Sequence, residues 1–443
     1  MSRKVKKIQD YDRLYAMLRH YVDLALKLSY RTLRYVGRER IPQDGAVIYA
    51  PNHTNALMDA LVILAMDRKA KVFVARADIF RKPVLAKLFS FFKIMPIMRL
   101  RDGVDEVKKN YETIEKSVDV LRDKVPFCIF PEGQHQAKYS SLPLSKGIFR
   151  IAFQAQELMP DMPLYIVPVG MSYGNFFRFR STVRVQVGDP INVQEFQKAH
   201  PDQTPQEQMN LLKEELAERM QATIFYIPYD EDYDATYEIC AAAVKQQAKA
   251  MRIASGRKKN QLDAHFEANK CIVEQIKSLK ANNEEVAREL MQLGNEAAAL
   301  RNKQGISLSS VSIKYPFWSR LLKILFWIIT LPYCLSVSLL TLPIKAIISF
   351  LFTKLKDEAF HNSVRFLVHL LLWPILMLIY TVICFVALPW QWAIPTVLLL
   401  LPAPIVAHES WRLLRLGISD VKLLACKELR MKYRKIRQLI FNK

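Results

Sequence analysis

The sequence predicts an α/β domain with a mostly parallel sheet flanked by helices, followed by a polar helical arm and C-terminal transmembrane helices. Three observations carry this reading. Between Tyr30 and Val187, short apolar and β-branched runs alternate with helix-period segments, which argues for strands joined by helices. Residues 235–303 are polar, with few helix breakers. Beyond Phe317 the charges vanish over long stretches: Ile324–Ile344 and Phe366–Ala407 contain no Asp, Glu, Lys or Arg.

The elements follow in order. Asp10–Ser29 reads as an amphipathic helix, with Leu14, Met17, Leu18, Tyr21, Val22, Ala25 and Leu28 on one face, packed on the core or lying in a membrane interface. It forms an N-terminal segment, 1–29. Strands are expected at Arg31–Tyr35, Val47–Ala50, Val72–Ala75, Phe127–Phe130, Tyr165–Val169 and Val183–Val187. Helices are expected at Ala56–Met66, Pro83–Phe91, Val104–Arg122 and Ile148–Leu158. Functional groups in such sheets collect at the carboxyl ends of strands, so His53 and Pro131-Glu132-Gly133 should meet at one edge. Thr204-Pro205-Gln206-Glu207 is a capping box with a first-turn proline; its helix runs to about Tyr226 and closes a domain over 30–230. Residues 231–310 form the polar arm, a helical hairpin with a linker from Gly305 to Pro316.

Residues 311–411 read as a membrane region and 412–443 as a basic cytoplasmic tail. The first uncharged stretch suits one crossing and the second suits two, divided at Pro389-Trp390-Gln391-Trp392. Three crossings would put the two ends on opposite sides. Residues 318–356, with Pro332, Pro343 and Lys345, are therefore expected to be re-entrant or interfacial, and 366–411 to be the anchor.

A formal charge of +22, from 64 Lys+Arg against 42 Asp+Glu, calls for an anionic partner. The apolar runs favour membrane lipid, and no aromatic-interleaved basic motif supports nucleic acid. The six cysteines form no CxxC pair or metal-ligand spacing, which argues for reduced thiols and no metal. Met1–Tyr30 has no apolar core of secretory type.

Four short blocks carry the chemistry. They are Asn52-His53…Asp59; Ile94-Met95-Pro96-Ile97-Met98-Arg99, with Arg101 beyond it; Ile129-Phe130-Pro131-Glu132-Gly133; and Ile166-Val167-Pro168-Val169-Gly170. A histidine oriented by a carboxylate can take a proton from a hydroxyl near neutral pH. A guanidinium suits a phosphate. Lys146, in Ser145-Lys146-Gly147 just before a helix, can add charge near that phosphate.

In this order the blocks resemble the glycerophospholipid acyltransferase family, which includes lysophosphatidate and glycerol-3-phosphate acyltransferases. The resemblance covers residues 30–230. It implies His53 as general base and Asp59 as its orienting partner. Arg99, Glu132 and Gly133 would hold the acceptor's phosphate end, with Arg101 and Lys146 in support, and Pro168 would line the pocket. The implied reaction moves an acyl chain from acyl-CoA or acyl carrier protein, with no further cofactor, to a glycerol-phosphate hydroxyl. The acceptor is 1-acylglycerol-3-phosphate, or else glycerol-3-phosphate, dihydroxyacetone phosphate or another lysolipid. The alternative of another class is a membrane tether with an inactive acyltransferase fold. Localisation follows as an integral membrane protein with a cytoplasmic catalytic domain.

Two departures stand out. The family's usual first motif has four residues between His and Asp, whereas this one has five, with Met58 where the aspartate is expected. Six positions put side chains about 240° apart on a regular helix, so the pair can meet only if His53 precedes the helix or the first turn is irregular. Asn55 is the expected cap. The second block has Lys93 where the family often has glycine.

Overall fold

A computed structural model describes residues 7–97, 106–256, 260–311, 316–355 and 357–441. The chain divides into two compact units: residues 1–224 with 352–370, and residues 225–351 with 371–443.

The first unit holds an eight-stranded sheet in the order β1-β7-β6-β2-β5-β3-β4, with β8 paired to β6. The strands are β1 (Tyr30–Val36), β2 (Ala46–Pro51), β3 (Val72–Arg76), β4 (Ile94–Ile97), β5 (Phe127–Cys128), β6 (Leu164–Tyr173), β7 (Ser181–Val187) and β8 (Ile191–Asn192). All pairs are parallel except β6 with β7 and β6 with β8. The helices are α1 (Arg13–Ser29), α2 (Ala56–Leu64), α3 (Pro83–Phe91), α4 (Glu106–Arg122), α5 (Gly147–Glu157), α6 (Val193–Ala199) and α7 (Pro205–Thr223).

β2 lies in mid-sheet between β5 and β6 and is buried along its whole length. Alternation sends Ile48 into one apolar layer, with Phe127, Ile148, Ile166 and Leu212, and Tyr49 into the other, with Val62, Cys128, Val167 and Phe366. The site therefore grows from the stiffest strand of the sheet.

Several expectations shift. Ile94–Ile97, singled out only as a chemical block, is itself a strand, paired in parallel with β3. The strand at 127 stops at Cys128, because the chain turns through Pro131-Glu132-Gly133 and Gly133 takes φ 63. On α1 the inward residues are Tyr15, Arg19 and Leu26, whereas Leu14, Met17, Leu18, Tyr21 and Leu28 of the apolar face are exposed, as the interfacial alternative requires and core packing does not. Arg19 is 8% exposed and donates to the carbonyls of Leu64, Asp67 and Lys69, just past the end of α2, where a cation complements the helix dipole. α7 starts on the expected capping box: Thr204 and Glu207 bond reciprocally.

In the second unit α8 (Tyr233–Ser255), α9 (Gln261–Asn282) and α10 (Glu284–Lys303) precede the short α11 (Leu308–Val311). They are not a free-standing arm. α17 (Lys427–Phe441), part of the expected tail, joins them through buried Glu238, which binds Arg301 Nε at 2.9 Å and accepts Tyr433 Oη–H at 2.5 Å. The physical reason is amphipathicity: Leu429, Tyr433, Ile436 and Ile440 need cover.

α12 (Pro316–Leu340) is one helix through Pro332, followed by α13 (Leu342–Lys354). α14 (Ala359–Ala387) starts in the first unit and continues into the second; α15 (Trp390–Leu400) and α16 (Ala403–Ala425) complete the chain before α17. Phe317–Leu340 and Ala359–Ala387 are long and apolar enough to cross a membrane, and α15 with α16, bent by 53°, make a third if they count as one span. Residues 316–340 run as one helix, long enough for a crossing and equally compatible with the interfacial placement expected of 318–356. The bend falls before Pro402, which cannot continue the α15 hydrogen-bond ladder. α12 lies antiparallel to α16, joined by Lys323–Asp420 at 2.5 Å and Thr330–Ser410 at 3.3 Å.

Candidate active site

β2 ends at Pro51 and delivers the chain to the loop 52–55. Asn52 pins that loop to β6: its Nδ2 donates to the Met171 carbonyl at 3.2 Å, and its Oδ1 accepts the Met171 N–H at 2.7 Å. His53 follows, with its side chain 18% exposed and Nδ1 2.8 Å from Asp59 Oδ2.

Asp59 is fully buried in the first turn of α2. Its Oδ2 also accepts the Thr54 and Asn55 N–H groups, each at 2.7 Å, and its Oδ1 accepts the Tyr173 hydroxyl at 2.6 Å. A buried carboxylate survives only when so satisfied, and the positive end of the α2 dipole adds to the effect. Burial, with Asp59 next, pushes the Tyr173 phenol well above its ordinary pKa, which keeps it a donor.

The pair meets for both of the reasons the spacing demanded. His53 precedes the helix, and Ala56 at its start adopts φ 43, a left-handed conformation rare for alanine. Met58, at the family's usual aspartate position, is buried in the core. Asn55 occupies the cap position but makes no side-chain cap bond; its Nδ2 donates to the Phe176 carbonyl instead. Lys93, at a position where glycine is frequent, takes φ 59, and its ammonium binds the carbonyls of Ile8 and Asp10 at 2.7 and 2.8 Å.

The third block closes over His53. The Phe130 ring stacks on the imidazole at 4.2 Å between centroids. Glu132, 7% exposed, accepts the His53 N–H at 3.1 Å and the Leu142 N–H at 3.4 Å. Burial pushes its pKa up to about 7, against the pull of those two amides. This geometry makes Glu132 a brace for the histidine loop, and it adds no positive charge for an acceptor's phosphate. The Gln136 N–H donates to the His53 carbonyl at 3.0 Å, a second tie between the same loops.

Lys146 is exposed at the N-cap of α5, one residue past Ser145, whose N–H donates to the Pro131 carbonyl at 2.7 Å. Pro168 is a buried β6 residue opposite Ala50, and its ring faces Gly188. Arg99 and Arg101 lie outside the described residues.

Some residues at the site had no sequence assignment. Tyr173 is one; its place three residues beyond the fourth block on a long strand was its only signal. His135 is another. Its ring stands edge-on to His53 at 5.6 Å, and its Nε2 lies 2.7 Å from Asp357 Oδ2. Phe360, in the first turn of α14, meets His135 edge-on at 5.3 Å. Nothing local could announce contacts made across more than two hundred residues. The six cysteines are free thiols, and no cluster of metal-ligating residues occurs among the described residues.

Residues 32–172, about a third of the chain, match the family model described as Acyltransferase. Over 175 residues the chain is 28% identical to Glycerol-3-phosphate O-acyltransferase 2 of Saccharomyces cerevisiae, covering 38% of this chain and 23% of that protein. Over 165 residues it is 25% identical to the 1-acyl-sn-glycerol-3-phosphate acyltransferase of Cocos nucifera, covering 37% of this chain and 49% of the relative. Among solved structures, the 1-acyl-sn-glycerophosphate acyltransferase PlsC of Thermotoga maritima aligns with a TM-score of 0.32 and 19% identity, over 47% of this chain and 82% of that one. The match thus spans under a quarter of the yeast relative and about half of the coconut one.

Proposed function

We propose that this chain, whose residues 32–172 match the Acyltransferase family model, is a membrane-bound O-acyltransferase of the glycerophospholipid type with His53 as general base. The observation that carries the reading is the His53–Asp59 contact at 2.8 Å, with the carboxylate fully buried. With Nδ1 engaged, Nε2 is the nitrogen that takes the acceptor's hydroxyl proton. The acceptor oxygen then attacks the thioester carbonyl carbon, a C–O bond forms, the C–S bond breaks, and the thiolate regains the proton from His53. No serine or cysteine nucleophile is needed. Acyl-CoA or acyl carrier protein supplies the acyl group.

The favoured acceptor is 1-acylglycerol-3-phosphate. His135, beside the base, is bonded to Asp357 at the mouth of α14, a helix of membrane-spanning length. A bilayer-borne acceptor would enter from that side. Glycerol-3-phosphate is the second reading, favoured by the yeast relative and the longer His…Asp spacing. Arg99, Arg101 and Lys146 are proposed to hold the phosphate, on a domain facing the cytoplasm.

The test is product formation by the purified full chain with acyl-CoA or acyl carrier protein against both acceptors, read by mass. His53→Ala should abolish turnover while leaving the protein folded in the membrane. Turnover that survives this change rejects the mechanism.

A further inference from the structure

Helix α17 carries Arg430, Arg434 and Arg437 at i, i+4 and i+7, which places three guanidinium groups on one face. Like charges at that spacing weaken a helix. Two other cations of α17 have acidic partners: Lys432 meets Glu296 at 2.5 Å, and Lys435 pairs with Glu289. Among the described residues no carboxylate pairs with the three arginines. Arg430 and Arg434 are exposed, and Arg437 donates only to the Ala242 carbonyl, at 3.3 Å. Burial, with the charge of Arg434 next, lowers the Arg437 pKa, so the cluster repels itself.

All three arginines line one cavity of about 200 Å³ between α11, α16 and α17. Its wall also holds Asp420, which is 1% exposed. Asp420 Oδ2 binds the Lys323 ammonium at 2.5 Å, whereas its Oδ1 is buried without a hydrogen-bond partner among the described residues. An unmet buried acceptor destabilises the fold, and more when charged. The cavity therefore presents a surplus of donors, a positive field and one acceptor oxygen lacking a donor. A carboxylate ligand would satisfy the arginines and leave Oδ1 orphaned. A phosphate monoester answers both, because guanidinium groups match its oxygens and a P–OH or adjoining hydroxyl can donate.

We propose that this cavity is a phosphomonoester site, with Arg430, Arg434 and Arg437 on the phosphate oxygens and Asp420 Oδ1 accepting a ligand O–H. Whole drug-sized ligands occupy about 300–1,000 Å³, so the space suits a headgroup alone. Leu423 and Leu424, on the last turns of α16, lie in the same wall. The chemistry is shared by a phosphatidate-type lipid headgroup and a soluble phosphate ester.

Native mass spectrometry of the detergent-solubilised full chain tests this with short-chain phosphatidate and short-chain phosphatidylcholine as probes. The expected result is at least about tenfold tighter retention of phosphatidate. That preference is lost in Arg430→Gln/Arg434→Gln, and kept in Lys422→Gln/Lys427→Gln, which removes the same charge nearby. His53→Ala, which alters only the acyl-transfer site, should leave it unchanged. Glycerol 3-phosphate or inorganic phosphate that displaces the lipid at similar concentration assigns the site to soluble esters; a lipid that resists both assigns it to a headgroup. Removing the repulsion should leave the melting temperature of the arginine variant at or above that of the parent. Equal retention of the two lipids, equal effects of the two charge-loss variants, or a lowered melting temperature would each overturn the proposal.

Discussion

Replacing Asp59 by Asn isolates the charge of the carboxylate from its hydrogen bonds. The amide oxygen can take the Oδ2 position, where it still accepts from His53 Nδ1 and from the Thr54 and Asn55 amides, now at distances of 2.7–2.8 Å. The amide nitrogen then faces Tyr173 Oη, 2.6 Å from the present Oδ1, and the hydroxyl can rotate to accept. The tautomer of His53 is thus preserved, and only the ionic partner of the imidazolium disappears. Unit charges about 4 Å apart interact by about 4 kcal/mol at an effective dielectric of about 20. In the proposed reaction the imidazolium forms as the hydroxyl proton is taken, so that loss corresponds to a fall of about 10³-fold in kcat with KM nearly unchanged. Stability should drop by roughly 2–4 kcal/mol, as charge-assisted bonds become neutral ones. Initial rates with a thioester donor, beside thermal melts of the same preparations, measure both. Activity of Asp59→Asn within threefold of the parent would refute the dyad. So would a further hundredfold loss when the change is added to His53→Ala, because partners in one step are not additive.

Two more outcomes follow from the same site. Glu132, with its pKa raised to about 7 by burial from an ordinary 4.5, holds more protons folded than unfolded. Its contribution is therefore full below about pH 4.5 and is lost as pH rises to 7, by up to about 3 kcal/mol. Glu132→Gln keeps an acceptor for the His53 amide and should flatten this slope, raising the melting temperature at pH 8 relative to the parent; an unchanged pH profile would contradict the buried-carboxylate account. At Gly170 an added Cβ would come within 2.4 Å of the Thr223 carbonyl oxygen and hydroxyl at the end of α7. Gly170→Ala should destabilise by about 1–3 kcal/mol in chemical denaturation, since backbone must move to admit it.

The alternating segments of 30–187 announced the parallel sheet because each element's periodicity is local. Pro83–Phe91 was readable to its ends, with Pro83 opening the helix. The blocks around His53 and Glu132 were legible because their chemistry and order are local too. What stayed hidden was set by distance along the chain. Tyr173 reaches Asp59 across 114 positions, and Asp357 reaches His135 across 222. Which of the two placements the apolar face of α1 takes was not legible, because periodicity reports a face and not what covers it. Whether 318–356 crosses, re-enters or lies in the interface was not legible, because a proline-containing apolar segment such as that around Pro332 can stay helical in any of these settings.

The first unit is discontinuous: residues 352–370 belong to it, although residues 225–351 intervene. Synthesis at about 5–20 residues per second means that roughly ten seconds separate the two pieces. During that interval the sheet domain would wait with His135 lacking Asp357, and with the sites of Phe366 and Asn362 beside Tyr30 unfilled. The missing piece opens α14, so the site is finished only as that helix is made and placed. Under the proposed function, assembly of the acyl-transfer centre would be timed by the making of that helix, and a domain cut at residue 230 would be an unfinished one.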